Sequence, residues 1–279
     1  MSFIKKLPSG KSQISKDLAF CSLLKSKLPA ASKKFSDLFV ELDSNIQKVD
    51  GKITLQALSN AHGDWYEWLI AIAAWNNFLN GKKTKLAILI PNVSQFDVSK
   101  LYKDELSELI DDLRIKVASS SDVELISSNP DFVVIDHKLA SKILANEKQI
   151  QTITPDSLSK LQTVYKQFIG ECEFDDIAGF LSVKTSFRPD RRLQIAHEGS
   201  LMKALYVHLQ TRQWILKPSG LKYYAMATKV GEKDRDALKT VATHSITTVN
   251  SLPQAAVDEV FEVNSLNQAH SAFDEILSV

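Results

Sequence analysis

Apolar residues recur at helical spacing early in the chain, as Leu18, Phe20, Leu23 and Leu24 and again as Phe35, Leu38, Phe39 and Leu42, so the first 60 residues or so are predicted to be helical. The segment from Asp64 to Asn80 would place Trp65, Leu69, Ile72 and Trp75 on one helical face, with Gly81 as the stop. A short β-type run, KLAILI at 85–90, comes next, and a polar, acidic helix is expected from about Val98 to Lys116. Beyond it the pattern turns to extended runs: VELIS at 123–127, DFVVID at 131–136, GFLSVKTS at 179–186, LKYYAMAT at 221–228 and KTVATHSI at 239–246. Two helical stretches separate DFVVID from GFLSVKTS, and a long helix is predicted from about Arg191 to Gln213. Strands mixed with helices of uneven length predict an α/β (α+β) fold, a central mixed β-sheet flanked by helices. No internal repeat and no Pro/Gly/Ser-rich linker interrupts the pattern, so residues 1–279 are expected to form one domain with a helical N-terminal region.

Composition narrows the function. With 44% hydrophobic and 24% charged residues, and Lys+Arg 34 against Asp+Glu 33, the chain has the make-up of a globular protein that neither coats nucleic acid nor clings to membranes by charge. Nine glycines disfavour folds built on glycine-rich cofactor loops. Cys21 and Cys172 form no CxxC pair, which points to a reducing compartment and away from a zinc knuckle. The N-terminus lacks the apolar run of a signal peptide, and the longest apolar stretch, WLIAIAAW at 68–75, is too short to span a bilayer, so the expected location is cytoplasmic. The net charge of +1 conceals a division: residues 184–229 carry nine Lys/Arg and two acids, whereas residues 251–279 carry five acids and no Lys or Arg. Such a distribution suits a positive field confined to one cleft.

The candidate chemistry gathers around two strands. Asp131 opens one of them after Asn129-Pro130, and Ser182 and Lys184 project from one face of another by the two-residue period. Glu198, fourteen residues after Lys184, lies in the following helix and can fold back over the strand. Glu67, between Tyr66 and Trp68, needs a partner or a metal if buried. Converging carboxylates make a hard-oxygen site of the kind Mg²⁺ prefers, and a lysine beside them can manage a water, which is minimal equipment for phosphodiester hydrolysis. Surface ion pairs are the bland alternative.

Directly after the lysine comes Arg188-Pro189-Asp190-Arg191-Arg192, where the proline brings the arginines and the aspartate out together near a helix N-terminus. Arginine forks match guanine O6 and N7, and a carboxylate accepts from cytosine N4, so two forks and one carboxylate suit two adjacent G·C pairs. Alternatively, Asp190 pairs with the arginines and caps the helix. A zinc protease is excluded, because HEGSL has Leu201 where HExxH needs a second histidine. A Ser182/His197/Asp131 hydrolase lacks the GxSxG elbow.

Taken together, PD at 130–131, SVK at 182–184, RPDRR at 188–192 and the glutamate of AHEGSLMKALY resemble the type II restriction endonucleases that recognise a CCGG core, the RCCGGY-cutting group above all. The likeness runs from GDWYEWLI at 63–70 to SLPQAAVDE, leaving out only the first 50 residues or so and the region from about 138 to 170. It implies the PD-(D/E)xK restriction-endonuclease-like fold with a relocated glutamate: Ser182 stands where an acid is usual, and Glu198 supplies the missing carboxylate. It further implies that Asp131 and Glu198 ligate Mg²⁺, that Lys184 is the catalytic lysine and that Glu67 is an additional acidic metal-site residue. Arg188, Asp190 and Arg191 match the base-reading residues. Arg192, about 100° further round the helix, is expected at a phosphate or in a structural pair. Trp214 matches a position at the contact between dimers. The implied partners are double-stranded DNA, a second copy in a homodimer, a homotetramer built from two such dimers, and a cognate DNA methyltransferase. The same fold with catalysis lost, or a repair-type nuclease without base specificity, is the alternative; the first has no reason to keep Asp131, Lys184 and Glu198, the second none to keep RPDRR.

Overall fold

A computed structural model describes residues 3–6, 12–121, 125, 129–247 and 252–278. Five strands form its central sheet: β3 (Leu86–Leu89), β4 (Phe132–Ile135), β5 (Ile177–Lys184), β6 (Lys222–Ala227) and β7 (Glu259–Glu262), in the spatial order β3-β4-β5-β6-β7. The β3/β4 and β4/β5 pairs are antiparallel, whereas β5/β6 and β6/β7 are parallel, so the sheet is mixed as expected. Strands β3 and β4 are buried at every residue, the signature of a sheet covered on both faces. Two short strands, β1 (Ile4–Lys6) and β2 (Ser12–Ile14), pair antiparallel ahead of the sheet.

The helices are α1 (Lys16–Leu23), α2 (Phe35–Val49), α3 (Leu55–Phe78), α4 (Asp104–Ser121), α5 (His137–Ile143), α6 (Pro155–Thr163), α7 (Pro189–Arg212), α8 (Glu232–Leu238) and α9 (Leu266–Ile276). Helix α3 carries the densest apolar run of the chain, with Trp65, Tyr66, Leu69, Ile72 and Trp75 buried, and lies against β3, β5 and α9. Helix α7 lies against β6, α4 and α8. Phe180, Ser182 and Lys184 of β5 turn one way and Leu181 and Val183 the other, which sets the lysine and the serine on one face of the sheet.

Several elements depart from the sequence pattern. The N-terminal region holds the β1/β2 pair besides its helices; strands of three residues, each with a single apolar position, leave no readable alternation. Helix α3 begins nine residues before Asp64, because Thr54 accepts a hydrogen bond from Ala57 N and caps it. The acidic helix begins at Asp104, after a turn of 3₁₀-helix over Val98–Leu101. The strand expected at 239–246 is absent. In its place α8 ends at Leu238 and a 3₁₀ turn spans Thr243–Ile246, burying Ala242 and Ser245 three residues apart at a helical and not a strand period. The fifth strand is instead β7, in the acidic C-terminal segment. The strand expected at 123–127 lies outside the described residues, apart from Leu125. Among the described residues no helix is long and apolar enough to cross a membrane.

Candidate active site

Asp131 immediately precedes β4, and the antiparallel register with β5 brings it to Lys184. Lys184 Nζ lies 2.7 Å from Asp131 Oδ1 and 2.6 Å from Oδ2, and Val183 N donates to the same Oδ2 at 2.6 Å. Burial works against the lysine's charge, but the ion pair with Asp131 and the fields of Glu67 and Glu198 outweigh it, so the ammonium titrates above the ordinary lysine value. Its acidic neighbours thus hold Lys184 as an ammonium.

Glu198 is buried roughly two and a half turns into α7. Its Oε2 accepts from the Tyr223 hydroxyl at 2.8 Å and lies 3.1 Å from Ser182 Oγ, while Gln194 Nε2 approaches Oε1 at 3.3 Å. Ser182 thus stands beside Glu198, the glutamate expected to replace the acid missing at its position. Glu67, on α3, is partly buried, and its carboxyl accepts no hydrogen bond from a described residue. Burial, and then the charge of Asp131, push its pKa up to about 8. Glu67 and Asp131 line a polar cleft of about 540 Å³ together with Asp64, Asn92 and Gln95.

Among the described residues no three His, Cys, Asp or Glu side chains are gathered as a ready-made metal cluster; Lys184 is the cation among the acids. The donor chemistry still fits a hard divalent cation. Mg²⁺ typically takes one or two protein carboxylates, with water and substrate phosphate oxygens completing its shell. Glu67 and Asp131 face one polar cleft, where a cation would offset the burial and the mutual repulsion that raise the Glu67 carboxyl.

The RPDRR segment enters α7 with Pro189 at its first turn and Arg188 at the N-cap, where no side chain caps the helix. Asp190 therefore does not serve as the cap. It meets Arg188 at 3.4 Å, with both side chains about two-thirds exposed. Arg191 meets its helical neighbour Gln194 at 3.0 Å. Arg192 turns away to α8 and pairs with Asp234 at 3.0 Å, half-buried. Trp214, just past the end of α7, is 85% exposed and adopts a left-handed φ of 54°, strained for a bulky residue, beside the 90% exposed Leu216. Both cysteines are buried free thiols.

Three features of this site lie outside the motifs of the sequence. Tyr223 was hidden within an ordinary β-run. The buried ion pair of Lys203 with Asp258, 2.7 Å long, joins residues more than fifty positions apart. Gly199, directly after Glu198, carried a readable signal: a glycine inside a helix marks a close approach. A Cβ there would lie 2.3 Å from Ala256 O.

The model of the Cfr10I/Bse634I restriction endonuclease family matches residues 5–279. The type II restriction enzyme Cfr10I of Citrobacter freundii is 46% identical over 264 residues, covering 94% of this chain and 92% of that one. Among solved structures, the type IIF restriction endonuclease Bse634I with cognate DNA superposes with a TM-score of 0.90 at 32% identity, over 99% of this chain and 98% of its own. A second Bse634I structure gives a TM-score of 0.88 at 32% identity, over 99% and 97%. A match along nearly the whole chain, with Asp131, Lys184 and Glu198 brought to one end of the sheet, makes this protein a member of the Cfr10I/Bse634I restriction endonuclease family, a type II site-specific deoxyribonuclease.

Proposed function

We propose that this enzyme cuts double-stranded DNA at a palindromic CCGG-core site, R^CCGGY, with Mg²⁺ as cofactor, leaving 5′-phosphate ends and four-base 5′ overhangs. One observation carries the reading: a single helix, α7, bears both the RPDRR segment, with Arg188 and Asp190 exposed, at its N-terminus and the buried Glu198, bonded to Ser182 two residues before the Lys184 that pairs with Asp131. Base reading and cleavage are thereby mounted on one rigid element. That Bse634I has been solved with cognate DNA supports DNA as the partner.

Restriction endonucleases of this family are generally metal-dependent. Asp131 and Glu198 would hold the ion, with Glu67 as the additional carboxylate. When bound, Mg²⁺ would offset the charge that develops on the phosphate and the leaving oxygen. Lys184, held as an ammonium, would orient the attacking water and add its own charge to the stabilisation of the phosphorane-like transition state. Ser182 keeps Glu198 in place. Arg188 and Arg191 would read guanines through bidentate forks and Asp190 a cytosine amine, so each copy reads one CC/GG half. A palindromic site calls for a homodimer with two-fold symmetry. The exposed Trp214 would join two such dimers into a homotetramer, and a cognate DNA methyltransferase would protect host sites.

Lys184→Ala tests the assignment. The variant should bind a duplex carrying RCCGGY with wild-type affinity and leave it intact in Mg²⁺; cleavage at the wild-type rate would refute the role of the lysine.

A further inference from the structure

Glu198 is held by an apparatus that reaches well beyond its own helix. Tyr223 is fully buried on β6, where the register pairs it with Phe180. Its hydroxyl lies 2.8 Å from Glu198 Oε2 and 2.9 Å from Ser182 Oγ, and Ser182 Oγ lies 3.1 Å from the same carboxylate oxygen. These three contacts share two hydroxyl protons. The phenol is the stronger acid and makes the shorter contact, so its proton goes to the carboxylate, and the Ser182 proton supports either Tyr223 Oη or Oε2. A buried phenol needs a partner for its hydroxyl, and here the partners are Glu198 and Ser182.

The tyrosine is itself fixed from behind. Tyr223 N donates to Asp258 Oδ2 at 2.7 Å, and the same carboxylate oxygen pairs with the buried Lys203 ammonium at 2.7 Å, which also donates to Ala255 O at 2.6 Å. Lys203 lies on α7, five residues beyond Glu198. The helix that carries the glutamate and the strand that carries the tyrosine are therefore tied to the same aspartate. Gly199 removes the side chain that would hold the two apart, since a Cβ there would stand 3.1 Å from Tyr223 Cδ1.

We infer that Tyr223 is a positioning residue of the cleavage site: its hydroxyl, backed by Ser182, holds the Glu198 carboxylate in the one orientation in which it can serve a metal ion. The inference rests on the reading of Glu198 as a metal ligand. Partners of this kind commonly contribute roughly 10- to 100-fold to metal affinity or activity.

The test is a double-mutant cycle on Mn²⁺ binding, measured by electron paramagnetic resonance on the full-length protein bound to an RCCGGY duplex, with melting temperatures recorded without metal. Wild type, Tyr223→Phe, Glu198→Gln and the double variant are compared. Tyr223→Phe should bind the duplex normally and hold Mn²⁺ about 10-fold more weakly, with no further loss when added to Glu198→Gln. Wild-type Mn²⁺ affinity in Tyr223→Phe, alongside a loss in Glu198→Gln, overturns the positioning role and leaves the ligand reading standing. Wild-type affinity in Glu198→Gln overturns the ligand reading itself. A Tyr223→Phe effect that persists in the Glu198→Gln background shows general structural damage and also overturns the inference. Should Tyr223→Phe melt too low for binding to be measured, Ser182→Ala removes the second hydroxyl, and unchanged Mn²⁺ affinity there counts against the pair.

Discussion

Gly199→Ala separates the demands of the site from those of the fold. In an unhindered helix interior the substitution would stabilise by about 1 kcal/mol, since glycine is the poorer helix former. At Gly199 the new Cβ would lie 2.3 Å from Ala256 O, 3.0 Å from Ala256 C and 3.1 Å from Tyr223 Cδ1. Carbon–oxygen contacts settle at about 3.3 Å or more, so helix and segment must separate by roughly 1 Å. The atoms in the way are backbone, and Lys203 pins that segment through Ala255 O and Asp258, so it cannot swing aside as a side-chain end would. Overpacking of this kind costs about 1–3 kcal/mol, which leaves a net destabilisation of up to about 2 kcal/mol after the helical gain. The melting temperature should then fall by at most about 8 °C, at about 2–4 °C per kcal/mol for a chain of this size. Glu198, however, is the adjacent residue, and a displacement near 1 Å at a reacting centre costs about 100-fold in rate. Single-turnover cleavage of a plasmid with one RCCGGY site, read beside a thermal melt, should show a folded protein that cuts about 100-fold more slowly. A variant that cuts within about threefold of wild type would refute the close-approach reasoning.

Other consequences can be checked in parallel. Glu67 titrates near 8 in the folded protein against 4.5 for a free glutamate, so between these values the native state holds a proton that the unfolded chain has released. The metal-free protein should therefore lose stability as pH rises from about 4.5 towards 8, by an amount on the order of a few kcal/mol, and Glu67→Gln should flatten that slope in urea melts. Arg188→Ala or Arg191→Ala should each lose about 1–3 kcal/mol of discrimination against a changed core base pair, measured by competition binding, whereas Arg192→Ala should act through stability by breaking the pair with Asp234. Trp214→Ala should convert tetramers into dimers in sedimentation and abolish any preference for two-site DNA; unchanged behaviour would place the contact elsewhere.

What could be read from the chain, and what could not, follows from sequence distance. Lys184, RPDRR and Glu198 lie within 15 residues on one strand and the next helix, so their placement needs only the strand period and one turn between elements. Asp131 is fixed by a neighbouring antiparallel strand and was legible from the apolar run it opens. The support for Glu198 was not legible. It depends on the parallel pairing of β5 with β6, which brings Tyr223 within reach of Ser182 from 41 residues away. Asp258 joins it from the β6–β7 connection, ahead of a strand whose acidic flanks masked it. The misread strand at 239–246 has the same origin: its alternating residues suit either period, and packing on α7 decides for the helical one. Local spacing reveals the reacting groups, and long-range register reveals what holds them.

On the proposed function, Asp131, Lys184 and Glu198 form a Mg²⁺-dependent site that cuts at the sequence read by RPDRR. A long DNA of known sequence, incubated with the enzyme and Mg²⁺ and then sequenced at its fragment ends, tests this most directly. Ends that all begin with a 5′-phosphorylated CCGG overhang flanked by purine and pyrimidine, and that disappear when Mg²⁺ is chelated, are the predicted result. Ends scattered over unrelated sequences, or formed equally well without a divalent cation, would contradict it.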